Sequence, residues 1–295
     1  MNQKTIYALG FFDGVHLGHQ ALLRECSRLT KLHGCQTGVV TFSVHPDGLV
    51  LGSAPALLNT NDDRTKLLHA YGIGTVLTIP FDRTLMNTHW SSFLSQLVDH
   101  DAAGFVCGSD FRFGTGGIGT AKKLAAFCEK HGLPYSVVPE QMLDGIRISS
   151  THIRGLLAAG NIEEAVRFLG HPHILSGQVV PGKQLGRTIG IPTANLLLPD
   201  GICGLRHGVY ATLCHANGNV YQAVTNVGTR PTVDGQSVTI ESYLLDFQGD
   251  LYGKTLTVAF HAFLRPEQKF ASLEELQKEI QRNALQARKF FQKSI

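Results

Sequence analysis

Gly10-Phe11-Phe12-Asp13-Gly14-Val15-His16-Leu17-Gly18-His19 is the stretch whose reading decides the fold. It follows a β-prone run, Thr5-Ile6-Tyr7-Ala8-Leu9, and leads into Gln20-Ala21-Leu22-Leu23-Arg24, a helix former whose apolar residues return at Leu22, Leu29 and Leu32. Strand, tight turn and helix follow in that order. Glycines at 10, 14 and 18 let the backbone turn sharply and approach a ligand closely. The free N–H groups of a helix start present partial positive charge to an anion, and phosphate is the natural guest. If the helix begins near Val15, His16 and His19 share one face and both imidazoles can donate to the same phosphate chain. Two histidines at this spacing can also be half a zinc site or a solvated pair beside a structural turn. No Cys pair or further His at ligand spacing follows nearby.

Working outward, 295 residues leave room for two cores, at roughly 100–200 residues per domain. Hydrophobic content of 43% and charged content of 17% describe an ordinary globular protein. The net charge of +3 is too slight to argue for a nucleic-acid partner, and no basic run is interleaved with aromatics. Cysteines at 26, 35, 107, 128, 203 and 214 are scattered without any C-x-x-C, as expected of reduced thiols rather than a disulfide framework. The N-terminus enters strand-like sequence without an apolar signal core, and no window reaches the ~18 apolar residues of a membrane span. The expectation is a soluble cytoplasmic protein without membrane or nucleic-acid partners, a monomer or weak oligomer.

Beyond the first helix, Thr37 to Phe42 reads as a buried strand, and Ser43-Val44-His45-Pro46 follows it, making His45 a candidate site residue. A helix from about Asp62 to Gly72 feeds a strand over Thr75 to Ile79. A helix around Trp90 to Val98, a strand over Gly104 to Gly108, a helix around Thr120 to Lys130 and a strand over Tyr135 to Val138 complete an alternating pattern. That alternation predicts a parallel sheet wrapped by helices. A helical stretch from Arg154 to Leu169, broken at Gly160-Asn161, leads to Gly170-His171-Pro172, which places the domain boundary between 1–170 and 171–295. The pattern then changes to short β-runs between Gly, Pro and Asn breaks: 177–180, 194–198, 209–213, 220–224, 238–245 and 255–263. Asn217-Gly218 favours a tight hairpin, and the whole predicts an antiparallel barrel or sandwich. Ser272-Leu273-Glu274-Glu275 opens a last helix with a capping-box pattern.

Three further motifs carry chemistry. Gly108-Ser109-Asp110-Phe111-Arg112-Phe113-Gly114 leaves a strand for a glycine-rich loop. Arg147-Ile148-Ser149-Ser150-Thr151-His152-Ile153-Arg154 sets two arginines and several hydroxyls at a helix start, a second anion cradle. Gly182-Lys183-Gln184-Leu185-Gly186-Arg187-Thr188-Ile189-Gly190-Ile191-Pro192-Thr193-Ala194-Asn195 is a glycine-rich loop with two cations, able to wrap a nucleotide's phosphates. It runs into a strand whose Thr193 and Asn195 face one side and could hold a magnesium ion, Mg2+.

GFFDGVHLGH resembles the G-x-F-D-G-V-H-x-G-H signature of the nucleotidylyltransferase superfamily, in its FAD synthetase branch. The segments at 108–114 and 147–154 resemble that family's G-x-D-F-x-F-G and I-S-S-T-x-I-R motifs. The later run, with Asn226-Val227-Gly228-Thr229-Arg230-Pro231-Thr232 and Ile240-Glu241-Ser242-Tyr243 downstream, resembles the riboflavin kinase module. Essentially the whole chain is similar, in order, to bacterial bifunctional riboflavin kinase/FAD synthetases. The resemblance implies a Rossmann-like α/β domain with a parallel sheet, then an antiparallel β-barrel kinase domain with a terminal helix. It implies two magnesium- and ATP-dependent steps: phosphorylation of riboflavin to FMN, then adenylylation of FMN to FAD with release of pyrophosphate. By the same match, Gly10, Phe12, Asp13, Gly14, Gly18, His16, His19, Asp110, Arg147, Ser150, Thr151 and Arg154 serve ATP in the first module. Gly182, Lys183, Gly186, Arg187, Pro192, Asn226 and Arg230 serve ATP and flavin in the second, with Thr193 and Asn195 on the metal and Glu241 as general base. Phe11 stands where many relatives have a small polar residue and Val44 where many have Pro, and the 115–120 loop lacks a basic residue that some carry. These departures bear on nucleotide affinity in the first module. The alternatives are a riboflavin kinase whose first half adenylylates weakly or acts on another substrate, and a flavin- or nucleotide-binding regulator.

Overall fold

A computed structural model describes residues 4–182, 186, 190–232 and 235–293. The chain forms two compact units, one of Met1–Leu57 and Arg64–Ser150, the other of Leu58–Asp63 and Thr151–Ile295.

In the first unit, strands β1 (Thr5–Leu9), β2 (Gln36–Phe42), β3 (Thr75–Ile79), β4 (Ala102–Gly108) and β5 (Tyr135–Val138) form one parallel sheet in the order β3-β2-β1-β4-β5. The central strand β1 is buried along its whole length, as a strand covered on both faces requires. Leu9 pairs with Val40 on one side and Cys107 on the other. The chain winds from β1 to β2 and β3 on one side and then crosses to β4 and β5 on the other, so the C-terminal end of β1 is the switch point at which open α/β sheets form a ligand crevice. The glycine turn sits there. Helices α1 (Leu17–His33), α2 (Asn61–Ala70, its first three residues counted with the second unit), α3 (Trp90–Asp99) and α4 (Ala121–His131) alternate with the strands as the sequence predicts. One expectation is corrected: α1 begins at Leu17, not near Val15. Gly14 and Val15 hold φ of 79° and 41°, and His16 is extended, so a short 3-10 turn over Asp13–Val15 precedes the helix. A helix over Pro46–Val50, not foreseen, follows β2 with proline in its first turn and His45 as its cap.

In the second unit, α5 (Ser150–Ala159, its first residue counted with the first unit) and α6 (Ile162–Leu169) precede the barrel. The expected division at 170 follows the change of sequence pattern, whereas contacts group these helices with the barrel. The backbone N–H of Arg206 donates to the Leu157 carbonyl, and α6 packs on the last barrel strand. Strands β6 (His173–Gln178), β7 (Ala194–Leu197), β8 (Gly208–Ala216), β9 (Asn219–Thr232), β10 (Gly235–Leu244) and β11 (Thr255–Pro266) run in the order β6-β11-β8-β9-β10-β7. Val180, just past β6, donates to the Asn195 carbonyl (2.9 Å) and brings the two edges together into a near-closed antiparallel barrel. Asn217 and Gly218 both take positive φ, the geometry of the predicted hairpin. Helix α7 (Leu273–Lys293) buries Ala287 and Phe291 against Val209 and Ala211. Its start is capped as predicted: the Glu275 N–H donates to Ser272 Oγ (3.2 Å), and the Glu275 carboxylate accepts from the Ala271 N–H (3.0 Å). All six cysteines are free thiols, Cys35 half-buried and the others buried.

Candidate active sites

The glycine turn of the first unit is fixed at every corner. Gly10 N–H donates to the Val40 carbonyl, Val15 N–H to the Phe12 carbonyl, Thr41 Oγ1 to the Phe11 carbonyl (2.9 Å) and Gln20 Nε2 to the Val15 carbonyl (2.9 Å). Phe12 takes φ of 59° without being glycine. Backbone held in so sparsely populated a region persists only where the surroundings over-determine it, and it concentrates at functional sites. His16 caps α1: its Nδ1 accepts the His19 N–H (3.3 Å), which leaves the proton of the neutral ring on Nε2. The two imidazoles stack with centroids 3.7 Å apart and planes 14° apart. His19 Nδ1 is buried without a hydrogen-bond partner. Burial, then His16, then Arg64 push the His19 imidazole well below its ordinary value, so it is neutral at physiological pH. Two stacked imidazoles at a helix N-terminus form a compact set of donors for polyphosphate oxygens.

The other expected residues divide into groups. Phe12 is wholly buried and supports Gly10 and the His19 ring from beneath, and Asp13 is buried too, its carbonyl accepting from Ser150 Oγ (3.0 Å). That bond joins the start of the Ser-Ser-Thr motif to the turn. An alanine methyl at Gly18 would lie 3.1 Å from the His16 ring, so close stacking needs glycine there. Asp110 and Arg147 form an ion pair (2.6 Å) that Glu140 joins (2.9 Å), all three about half exposed, so Arg147 is held by carboxylates. Thr151 and Arg154 lie in the second unit, where Arg154 donates to Thr151 Oγ1 (3.0 Å). His45 meets the Phe11 ring edge-on at 4.7 Å. Sequence reasoning missed Arg64, which is 1% exposed and donates to the Phe42 carbonyl (2.6 Å) with its guanidinium 4.4 Å from the Phe11 ring centre. An arginine following two aspartates on a helix reads as solvated, and no spacing betrays its burial.

In the second unit, Asn195 of β7 faces Glu241 of β10, and Glu241 faces Asn226 of β9. Residues opposed across a ladder project to one face, so the three form a row across adjacent strands. On the reverse face Thr212, Thr225 and Ser242 make a buried chain of hydroxyls (2.7 and 2.8 Å) that holds β8, β9 and β10 in register behind the row. Asn195 is buried, its Nδ2 donates to the Thr193 carbonyl (3.3 Å), and its Oδ1 has no hydrogen-bond partner among the described residues. A buried oxygen without a donor, beside Thr193 and opposite a carboxylate, suits a hard divalent cation. Gly182 lies so close that a methyl there would come within 2.5 Å of Asn195 Nδ2. Ile191 N–H donates to the Gly186 carbonyl (2.7 Å), and Pro192 is exposed beside it. Lys183 and Arg187, and the side chain of Arg230, lie outside the described residues.

The FAD synthetase family profile matches residues 1–152, and the riboflavin kinase profile matches residues 169–291. The bifunctional riboflavin kinase/FMN adenylyltransferase of Escherichia coli K12 is 39% identical over 293 residues, covering 98% of this chain and 93% of that protein. The protein of the same description from Listeria monocytogenes is 32% identical over 298 residues, with 98% and 93% covered. A crystal structure from Streptococcus pneumoniae, described as a macrolide-efflux protein, is similar with a TM-score of 0.86 at 29% identity, covering 98% of this chain and 95% of that one. Among the described residues of this chain no helix is long and apolar enough to cross a membrane. Matched over almost its full length by relatives of one description, the chain belongs to the bifunctional riboflavin kinase/FMN adenylyltransferase family.

Proposed function

We propose that this chain phosphorylates riboflavin to FMN and then adenylylates FMN to FAD, with adenylyl transfer carried by residues 1–170 and the kinase by 171–295. The observation that supports it is that each compact unit holds its own pre-aimed polar set: the His16–His19 turn in one, the Asn195–Glu241–Asn226 row in the other. In the kinase step Glu241 accepts the proton of the ribityl hydroxyl as its oxygen bonds to the γ-phosphorus, and ADP leaves. Asn195 Oδ1 and the Thr193 hydroxyl would hold magnesium, which supplies positive charge to the transferring phosphoryl group. By their motif, Gly182, Lys183, Gly186, Arg187, Pro192, Asn226 and Arg230 line the ATP and flavin positions.

In the transfer step an FMN phosphate oxygen bonds to the α-phosphorus of ATP, and the bond to the β-phosphate oxygen breaks to release pyrophosphate. The nucleophile is already ionised, so this step needs stabilisation of developing charge rather than a base. His16 Nε2–H, the His19 ring and the N–H groups at the start of α1 provide it, while Gly10, Gly14 and Gly18 keep the approach open. By their motifs Ser150, Thr151, Arg147 and Arg154 bind the leaving phosphates, and Asp110 the nucleoside. We assign the chain to the cytoplasm, where its substrates and the reducing state suited to six free thiols are found.

The test follows riboflavin, ATP and magnesium by chromatography over time. His19→Ala abolishes FAD while FMN still accumulates. Glu241→Ala abolishes FMN formation, yet supplied FMN is still converted to FAD. Loss of both activities from either change in a folded chain overturns the two-site assignment.

A further inference from the structure

Among the described residues Arg64 is the largest of the fully buried side chains, and it lies in no motif. It extends from the first turn of α2 to the end of β2, where it donates to the Phe42 carbonyl at 2.6 Å, and its guanidinium covers the Phe11 ring at 4.4 Å. Phe11 is the first aromatic of the glycine turn, and its carbonyl is also tied to β2 through Thr41. A guanidinium stacked on an aromatic face and bonded to a carbonyl is held in both direction and plane, and a lysine ammonium keeps the charge and a donor for the carbonyl. Burying a guanidinium costs several kcal/mol unless an anion compensates it. The carboxylate that interacts with it is Asp13, itself buried in the same turn.

We propose that Arg64 is a positioning residue for adenylyl transfer: it pins the Phe11 limb of the turn to the end of β2 and serves as the buried counter-ion of Asp13, so that no net negative charge lies beside the His16–His19 pair. The inference rests on the reading of this turn as the transfer site. The charged and titratable groups around the pair are His16 and Asp13 from the turn, Arg64 from α2, and His45 from the end of β2 by way of Phe11. Arg64 remains a cation at working pH: burial lowers it to about 10 and Asp13 works against that shift. Its charge is among the causes that keep His19 neutral. Removing it withdraws a cation and uncovers an anion, and both changes favour a protonated His19.

The experiment measures adenylylation of supplied FMN against pH in wild-type, Arg64→Gln and Arg64→Lys chains, with riboflavin phosphorylation and the circular dichroism melt alongside. Arg64→Gln keeps a donor for the Phe42 carbonyl and loses the charge. It is expected to lower the rate on the order of ten- to a hundred-fold and to move the acid limb of the profile up by about 0.5–1 pH unit, the scale of one partly screened charge. Arg64→Lys returns the limb to its wild-type position and recovers most of the rate. A merely structural role lowers the rate and leaves the limb where it was, and that result overturns the proposal. So does an Arg64→Lys chain no better than Arg64→Gln or, should Arg64→Gln fail to fold, an Arg64→Lys chain with a displaced limb. Failure of the underlying reading looks different: the wild-type chain makes no FAD from FMN and ATP at any pH.

Discussion

Replacing Gly182 by alanine tests the kinase site with a single methyl group. Its carbon would lie 2.5 Å from Asn195 Nδ2 and 2.7 Å from Oδ1. Carbon and nitrogen in ordinary contact stay about 3.4 Å apart or more, so the amide must retreat by roughly 0.9 Å. The displaced atoms are the end of a side chain, which makes the change cheap for folding, within about 1 kcal/mol. It is not cheap for the site, because the same amide carries the buried Oδ1 assigned to the metal and faces Glu241. A misplacement of about 1 Å costs on the order of a hundred-fold in rate, which corresponds to about 2.7 kcal/mol of barrier. Gly182→Ala is therefore expected to lower kcat for riboflavin phosphorylation about a hundred-fold, with a melting temperature close to wild type and an unchanged rate of FAD formation from supplied FMN. Because the methyl acts through Asn195, Gly182→Ala/Asn195→Ala should be no slower than Asn195→Ala alone. A kinase rate within about three-fold of wild type refutes the reasoning, as does a double variant showing the two losses multiplied.

Two further outcomes follow from buried titratable groups. Burial, and then His171, hold the His173 imidazole down at about 3 against the opposing pull of Asp63, whereas an unfolded histidine titrates near 6.5. Below about pH 6.5 the unfolded chain takes up a proton that the native one refuses, so stability falls as pH falls, by on the order of 2 kcal/mol between pH 6.5 and 5. His173→Asn should flatten the pH dependence of the urea midpoint by one proton's worth, and an unchanged slope would show that the ring is accessible. Burial also pushes the thiols of Cys107, Cys128 and Cys214 up to about 12 and that of Cys26 to about 11. A disulfide reagent should then titrate one thiol rapidly, that of the half-buried Cys35, and the rest only in denaturant; a second fast thiol would contradict the burial.

The strands and the alternation were legible because parallel strands buried on both faces are apolar throughout: all five residues of β1 are buried, and its boundaries read correctly. The barrel was legible for a different reason, the Gly, Pro and Asn breaks between its runs. The start of α1 was not, since it depends on positive φ at Phe12 and Val15, and nothing in an aromatic or a β-branched residue announces a left-handed backbone. Arg147 illustrates a second limit. Its motif points to phosphate, but its partner Asp110 comes from a segment 37 residues away, and Glu140 joins the pair from the loop before the motif. Arg64 illustrates a third, because burial of a charge is decided by what packs over it, here Phe11, and composition is silent on that.

The contrast between the two sites follows from what each backbone supplies. In the barrel the regular ladder already sets Asn195, Glu241 and Asn226 in one row, and a buried chain of hydroxyls suffices to hold the register. At the end of β1 no ladder remains, and a turn that must aim N–H groups outward has to be fixed bond by bond. That accounts for the concentration there of costly features: positive φ at Phe12 and Val15, a buried carboxylate at Asp13, a buried guanidinium at Arg64. Each such backbone strain costs on the order of 1–3 kcal/mol and survives because several contacts oppose its release. Thr41, Gln20, Ser150 and Arg64 are those contacts, and all four act on the turn from outside it. Loosening any one of them should therefore affect adenylyl transfer before it affects the stability of the sheet, because the sheet's own pairing ends at Leu9 and does not depend on the turn.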